Sequence, residues 1–340
     1  MKYRIEGIDY LRAMMSIFVV IWHMGGGGRS LIFSKSAYLE HVFTASDFIN
    51  FHLLLLAVPT FIFISIFLYS SKPARITEFK KQFLRVFILL SFWPIALILY
   101  KNGYHGLLAI APSSPVDVVY KVLCAGNTIY YFFTSLIICL FVAHLFLQLN
   151  RKLQMPVFLA SIVLLAALPL LTKMTGFYPL SAYWSPLNFI PLSFAAVLFA
   201  LNRESVVKNR RTVLLLSLIL CLLFSIFEWR YSVGEIFISG QGYAIPAYTR
   251  TSLLFAVIAV FVLALNPRVK ANSLIKYMAK YSLALYCLHP FLIGPVKKIV
   301  SIVFQNDTIV LYVSIMLVVL FSYSIAMLLR KYYLREKVII

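Results

Sequence analysis

Charge is scarce in this 340-residue chain: Asp, Glu, Lys and Arg make up 12% of it, against 62% hydrophobic residues. Soluble domains carry roughly a quarter of their residues charged, so a water-exposed fold is excluded. Cysteine is equally sparse. Cys124, Cys139, Cys221 and Cys287 are scattered with no Cys-x-x-Cys spacing, which excludes a disulfide framework and leaves them as core filler. No Gly-Lys-Ser/Thr phosphate loop occurs, which argues against a nucleotide-driven pump. The six histidines are widely spaced and no His/Asp/Glu cluster has ligand spacing, so no metal is expected. No repeat of 20 to 50 residues is visible, and no small-x-small cleavage site follows the first apolar run, which therefore reads as a retained helix.

What is present is a series of apolar stretches near twenty residues long, with a mean hydropathy of +0.91. They predict an all-α integral membrane fold of about ten transmembrane helices, in a single polytopic domain over 1–340. Breaks at charged or Pro/Gly-bearing positions place the helices near 8–24, 48–70, 82–100, 129–149, 156–173, 187–202, 211–228, 249–266, 281–298 and 308–329.

The net charge of +20 has to be weighed against nucleic-acid binding. With the N-terminus placed inside, 21 of the 31 basic residues fall on one side, from Lys2 and Arg4 through Lys72, Arg75, Lys80, Lys81 and Arg85 to Arg335 and Lys337. Nine, including Arg29, Lys35, Lys121 and Arg250, fall on the other, and Arg12 lies within a span. This positive-inside asymmetry puts both termini in the cytoplasm and accounts for the charge. A nucleic-acid partner, which needs a basic face on a soluble module, is not expected.

Two ionisable residues interrupt the first helix. Residues 8–23 read IDYLRAMMSIFVVIWH, with Arg12 and His23 eleven positions apart. At about 100° per residue this is roughly three turns plus 20°, so both lie on one stripe about 16 Å apart along the axis. An ionisable group inside a span is costly and faces a protein interior or a water-filled cavity, which makes this pair the leading functional site. The alternative is an ion and hydrogen-bond network that only fixes helix packing.

The stretch from Asp9 through Leu11 and Arg12 to His23 resembles the first-helix signature of the membrane acyltransferase-3 family. PTFIFISIFLYS (59–70) is similar to the family's second helix, although the usual glycine after Ser65 is Ile66 here. FKKQFLRVF (79–87) resembles its Arg-x-x-Arg element, with Arg85 in the second position and Gln82 in the first, so that Lys81 would substitute. YYFFTSLIICLF from Tyr130 resembles a further aromatic segment, and YSLALYCLHPFLI (281–293) the C-terminal signature with its Tyr286 and His289-Pro290.

The resemblance implies a stand-alone membrane O-acyltransferase without a fused hydrolase domain, in a bacterial cytoplasmic membrane. It implies acetyl transfer from cytoplasmic acetyl-CoA to a hydroxyl of a surface polysaccharide or its lipid-linked precursor, with other acyl donors open and no tightly bound cofactor. Partners would be acyl-CoA, the glycan acceptor, membrane lipids and polysaccharide-biosynthesis proteins.

The residues also speak for this chemistry directly. A sugar hydroxyl needs a positioned base, and histidine, with an ordinary pKa of about 6.5, suits that role. His23 would act as general base or carry the acyl group covalently. The Arg12 fork suits a phosphate or carboxylate, including Asp9 one turn back. Lys81 and Arg85 would attract the phosphates of CoA, or simply mark a cytoplasmic helix end. Asp9, Ser65, Tyr286 and His289 are supporting candidates, with His289 otherwise a cap or kink at Pro290.

His144 and Glu228 sit near predicted helix ends and read as interfacial. Gly25 to Gly28 would give a flexible loop for acceptor approach. Tyr178, Tyr183, Trp184, Trp229, Tyr231 and Tyr243 would form an interfacial belt or stack on sugar rings. Competing readings are a transporter or flippase for a lipid-linked sugar, which would show inverted repeats, and a non-catalytic synthase subunit, which would tolerate loss of His23.

Overall fold

The computed structural model describes residues 5–25, 48–72, 75–109, 112–232 and 246–332, and every regular element among them is helical. Lys2, Arg4, Arg29, Lys35, Gly26 to Gly28, Tyr243, Arg335 and Lys337 lie outside the described residues, as do the side chains of Arg75 and Tyr231. In chain order the helices are α1 (Glu6–Gly25), α2 (Ala57–Ser70), α3 (Arg75–Ala109), α4 (Pro115–Leu123), α5 (Tyr131–Gln148) and α6 (Arg151–Thr175). They continue as α7 (Ile190–Leu201), α8 (Arg203–Lys208), α9 (Arg210–Ser232), α10 (Thr251–Ala264), α11 (Ser273–Val303) and α12 (Asp307–Tyr332). A π-helical turn, Phe48–Leu53, and a 3-10 turn, Leu54–Leu56, lead into α2.

Seven stretches among the described residues are long and apolar enough to cross a membrane: Phe48–Ser70, Ile76–Leu108, Tyr131–Gln148, Arg151–Thr175, Arg210–Arg230, Ser273–Val303 and Asp307–Lys331. Pro186–Leu201 and Thr251–Ala264 are apolar but shorter. Helix α1 is not in that set, because Asp9, Arg12 and His23 dilute its hydropathy. Helices satisfy every backbone donor and acceptor within one segment, which is what an integral membrane fold requires.

Each of the ten segments expected from hydropathy holds a helix. Helix α3 runs well past its expected bounds, from Arg75 to Ala109 instead of 82–100, and α11 starts at Ser273 instead of 281. The Asn272 side chain accepts a hydrogen bond from Ile275 N (2.9 Å) and caps it. Lys276 and Lys280 break the apolar run but not the helix, since their long stems let the charges reach water.

Helix α4 was not expected from hydropathy, being nine residues long. Ser114 caps it by accepting from Asp117 N (3.2 Å), and Asp117 accepts in return from Ser113 N (2.9 Å), a reciprocal arrangement like a capping box. Val116 and Val119 are exposed on this helix, the pattern of an amphipathic segment lying at a membrane surface.

The chain forms two compact units. The first comprises Met1–Phe61, Arg210–Leu215 and Ala256–Ile340. Here α1 lies against α11 and α12, which pack along each other. Ile8, Leu11, Met15 and Val19 of α1 recur at helical spacing and are buried. Gly7 is required by close approach: a Cβ there would collide with the backbone carbonyl of Ala264. Deep in this unit Ser16 donates to the Ala13 carbonyl (2.7 Å), which leaves its oxygen to accept from the Tyr323 hydroxyl (3.2 Å).

The second unit comprises Ile62–Asn209 and Leu216–Phe255. In it α5 packs against α3 and α7, and α6 against α7. Phe146 stacks on Phe194 with ring centres 4.2 Å apart, and Phe63 meets Phe199 edge-on at 5.7 Å. Tyr183 and Trp184 pack against other aromatic rings of this unit. Tyr183 meets Tyr131 edge-on at 5.0 Å, and buried Trp184 meets Tyr120 at 5.1 Å.

Candidate active site

Helix α1 carries its polar residues in register along the first unit. Asp9, Ser16 and His23 are spaced by seven, two helical turns with a drift of about 20°, and Arg12 follows Asp9 by one turn. Asp9 and Ser16 are buried, while Arg12 and His23 are half-buried. A stripe of this kind on a membrane helix stays inside only where neighbouring helices cover it, and α11 and α12 do so here.

At one end of the stripe, α1 is tied to the loop before α11. Ala271 N donates to Glu6 (2.6 Å), Lys276 pairs with the same carboxylate (3.4 Å), and the Tyr10 hydroxyl donates to the Lys270 carbonyl (3.2 Å). Lys280 and Arg330 lie over the Tyr281 ring at 5.7 and 5.9 Å from its centre. Lys276 and Lys270 therefore bring positive charge to the end of α1 nearest Arg12.

At the other end, the His23 ring lies 5.3 Å from that of His289, with a 34° angle between the ring planes. His289 is fully buried, and the Tyr286 ring lies 6.0 Å from it. Its Nδ1 donates to the Leu285 carbonyl one turn back (3.1 Å). The Tyr286 carbonyl, which Pro290 leaves without its usual donor, also interacts with the ring. His289 Nε2 has no hydrogen-bond partner among the described residues. Helix α11 runs on through Pro290 and Pro295 to Val303, so His289 does not end it, and its ring meets the carbonyls of the turn before the proline.

Thus Asp9, Arg12, His23, Tyr286 and His289 all fall in the first unit, on two helices that touch. Ser65, Lys81 and Arg85 belong to the second. Ser65 is half-buried in α2, while Lys81 and Arg85, four residues apart on α3, are exposed. The chemistry of α1 and α11 is that of two imidazoles, one fully enclosed with an unused ring nitrogen and the other partly open. Such a pair can accept, hold and return a proton.

Two polar clusters of the second unit escape a reading from sequence. Glu228 is expected at an interface and Arg250 on the outward side at the start of its helix, but both are buried. Arg250 Nε donates to Glu228 Oε2 (3.0 Å), Ser252 N donates to Oε1 (2.9 Å), and the Ser252 hydroxyl also donates to this carboxylate. His144, expected at an interface, is half-buried beneath Phe79, whose ring centre is 4.8 Å away. The Tyr69 hydroxyl lies 2.6 Å from its Nδ1. An acid and a base 22 residues apart in the sequence give no periodic signal, so only folding could reveal their pairing. A groove of about 380 Å³ between α3 and α4, lined by Phe87, Pro94, Ile98 and Val122, offers Lys121, which is itself paired with Asp117 (2.9 Å).

Comparison with known proteins adds one match. The acyltransferase-3 family model, described as an acyltransferase domain, aligns with residues 5–327. No curated protein and no solved structure matches the chain.

Proposed function

The chain belongs to the acyltransferase-3 family and is a multi-pass membrane acyltransferase; from that premise we propose that it moves an acetyl group from acetyl-CoA to a glycan hydroxyl. The acceptor on this reading is a bacterial surface polysaccharide or its lipid-linked precursor, reached in the cytoplasmic membrane with both chain termini inside. The observation that carries the reading is the juxtaposition of His23 with buried His289 at 5.3 Å, on helices that also bear Arg12 and Tyr286.

His23 is the general base. It takes the proton of the acceptor hydroxyl as the oxygen attacks the thioester carbonyl, the C–O bond forms and the C–S bond breaks. The same proton then goes to the departing thiolate. Arg12, always cationic, binds an anionic part of a substrate. CoA is polyanionic, and the cations Lys276 and Lys270, whose charges act on Glu6 at the N-terminal end of α1, support a donor arriving from that end. Lys81 and Arg85 add basic charge at the start of α3 and are assigned to CoA phosphates.

The test is mass spectrometry of surface glycans from a host expressing wild type, His23→Ala or empty vector at matched membrane levels, with acetyl-CoA kinetics in isolated membranes. Wild type should add an acetyl increment, and His23→Ala should lose on the order of 10² to 10⁴ in rate, the usual contribution of a general base. Arg85→Ala should raise KM for acetyl-CoA with little change toward the acceptor. An increment that survives in His23→Ala removes this residue as the base.

A further inference from the structure

We propose that His289 is a positioning residue for His23: its Nε2 accepts the His23 ring N–H and so fixes which His23 nitrogen faces the acceptor hydroxyl. The inference rests on the acyl-transfer reading for its consequence, but its geometry stands without it.

The tautomer of His289 follows from its partner. A backbone carbonyl can only accept, so the Nδ1···Leu285 contact at 3.1 Å requires the hydrogen to sit on Nδ1. A neutral imidazole has one N–H, which leaves Nε2 as a bare lone pair. A second proton would bury an N–H with no acceptor among the described residues. His289 therefore offers a hydrogen-bond acceptor, held in place by its own helix and fully enclosed.

An enclosed lone pair needs a donor, and the aromatic nitrogen ring beside it is His23. With about 1.1 Å allowed for each ring radius, a centre-to-centre distance of 5.3 Å leaves roughly 3 Å, one hydrogen-bond length, once a His23 ring edge is turned toward Nε2. The terminal torsion of histidine is broad, so a ring rotation brings a His23 nitrogen onto Nε2. Catalytic hydrogen bonds are often loose in a substrate-free protein and tighten in the complex.

Once one His23 nitrogen donates to His289, its other nitrogen carries the lone pair and faces away from His289. That nitrogen takes the hydroxyl proton, and the resulting imidazolium keeps its bond to Nε2. A chain from the Leu285 carbonyl through His289 to His23 thus does what a third group does for the base of any nucleophile–base pair: it sets tautomer and orientation.

Substitution separates this role from helix support. In His289→Gln the longer side chain can place an amide oxygen where Nε2 is. In His289→Asn the shorter one can place an amide N–H where Nδ1–H is, facing Leu285 but with nothing at the Nε2 position. If His289 positions His23, His289→Gln keeps at least about tenfold more kcat than His289→Asn, and both keep the wild-type KM for acetyl-CoA. If His289→Asn matches or exceeds His289→Gln, the residue serves only its helix and the proposal fails.

A second measurement does not need activity. With ¹⁵N-histidine-labelled protein in lipid nanodiscs, the His289 signals, assigned by loss in His289→Gln, should show a protonated Nδ1 and an unprotonated Nε2. The Nε2 signal should move in His23→Ala. A protonated Nε2, or a signal indifferent to His23→Ala, overturns the proposal. If wild type transfers no acetyl group, the enzymatic reading fails while the nitrogen signals still decide the His289–His23 link.

Discussion

Removal of Glu228 should be among the most damaging single changes in the second unit. The Arg250 side chain is fully buried and that of Glu228 is 7% exposed, so water cannot replace the carboxylate. In Glu228→Ala three donors lose their acceptor together: Arg250 Nε, Ser252 N–H and the Ser252 hydroxyl. Breaking one side of a buried ion pair costs about 3–5 kcal/mol, chiefly because the surviving charge stays enclosed.

For a chain of this size each kcal/mol moves the melting point by roughly 2–4 °C or less, so a fall on the order of 10 °C is expected. Glu228→Gln should fall nearly as far, because its amide N–H faces donors. Replacing both partners, Glu228→Leu with Arg250→Met, should recover much of the loss, as hydrophobic pairs of similar volume often match a buried ion pair. The assay is thermal unfolding in a mild detergent, followed by thiol labelling of the buried cysteines Cys124, Cys139 and Cys287. If Glu228→Ala melts within about 2 °C of wild type, or the double variant is no better than the sum of the single ones, the enclosed ion pair does not hold this region together.

Gly7→Ala should separate α1 from the end of α10, since the added Cβ meets backbone at Ala264 and cannot be relieved by a side-chain rotation. Overpacking of this kind costs about 1–3 kcal/mol, measurable as a lower melting point, and Gly7→Ser should be no milder. At α4, the Lys121 ammonium and the Ser113 amide hold the Asp117 carboxyl below its ordinary value. A lowered folded-state value means the contribution is present above the ordinary carboxylate range and is lost as pH falls through the lowered one. Amide protection factors in Pro115–Leu123, corrected for the intrinsic slowing of exchange in acid, should therefore fall in acid for wild type, while those of Asp117→Asn should be lower already at neutral pH and change little with acid.

How far the sequence reaches is clearest from particular residues. Runs of about twenty apolar residues suffice to specify membrane helices, because lipid forbids any other open backbone arrangement, and all ten expected segments hold helices. The 3.6-residue period likewise places Asp9, Arg12 and His23 on one side of α1 without reference to any other element. What sequence cannot determine is which residue from a distant helix meets that stripe. His289 reads as a local feature of a His-Pro pair, and only the packing of α11 on α1 brings its ring beside His23, 266 positions away. Glu228 and Arg250 look like two unrelated charges at the edges of apolar runs, yet folding buries each against the other. Local periodicity fixes where a side chain lies on its own helix, whereas desolvation and pairing depend on the neighbour that covers it, and that neighbour is supplied by tertiary packing alone.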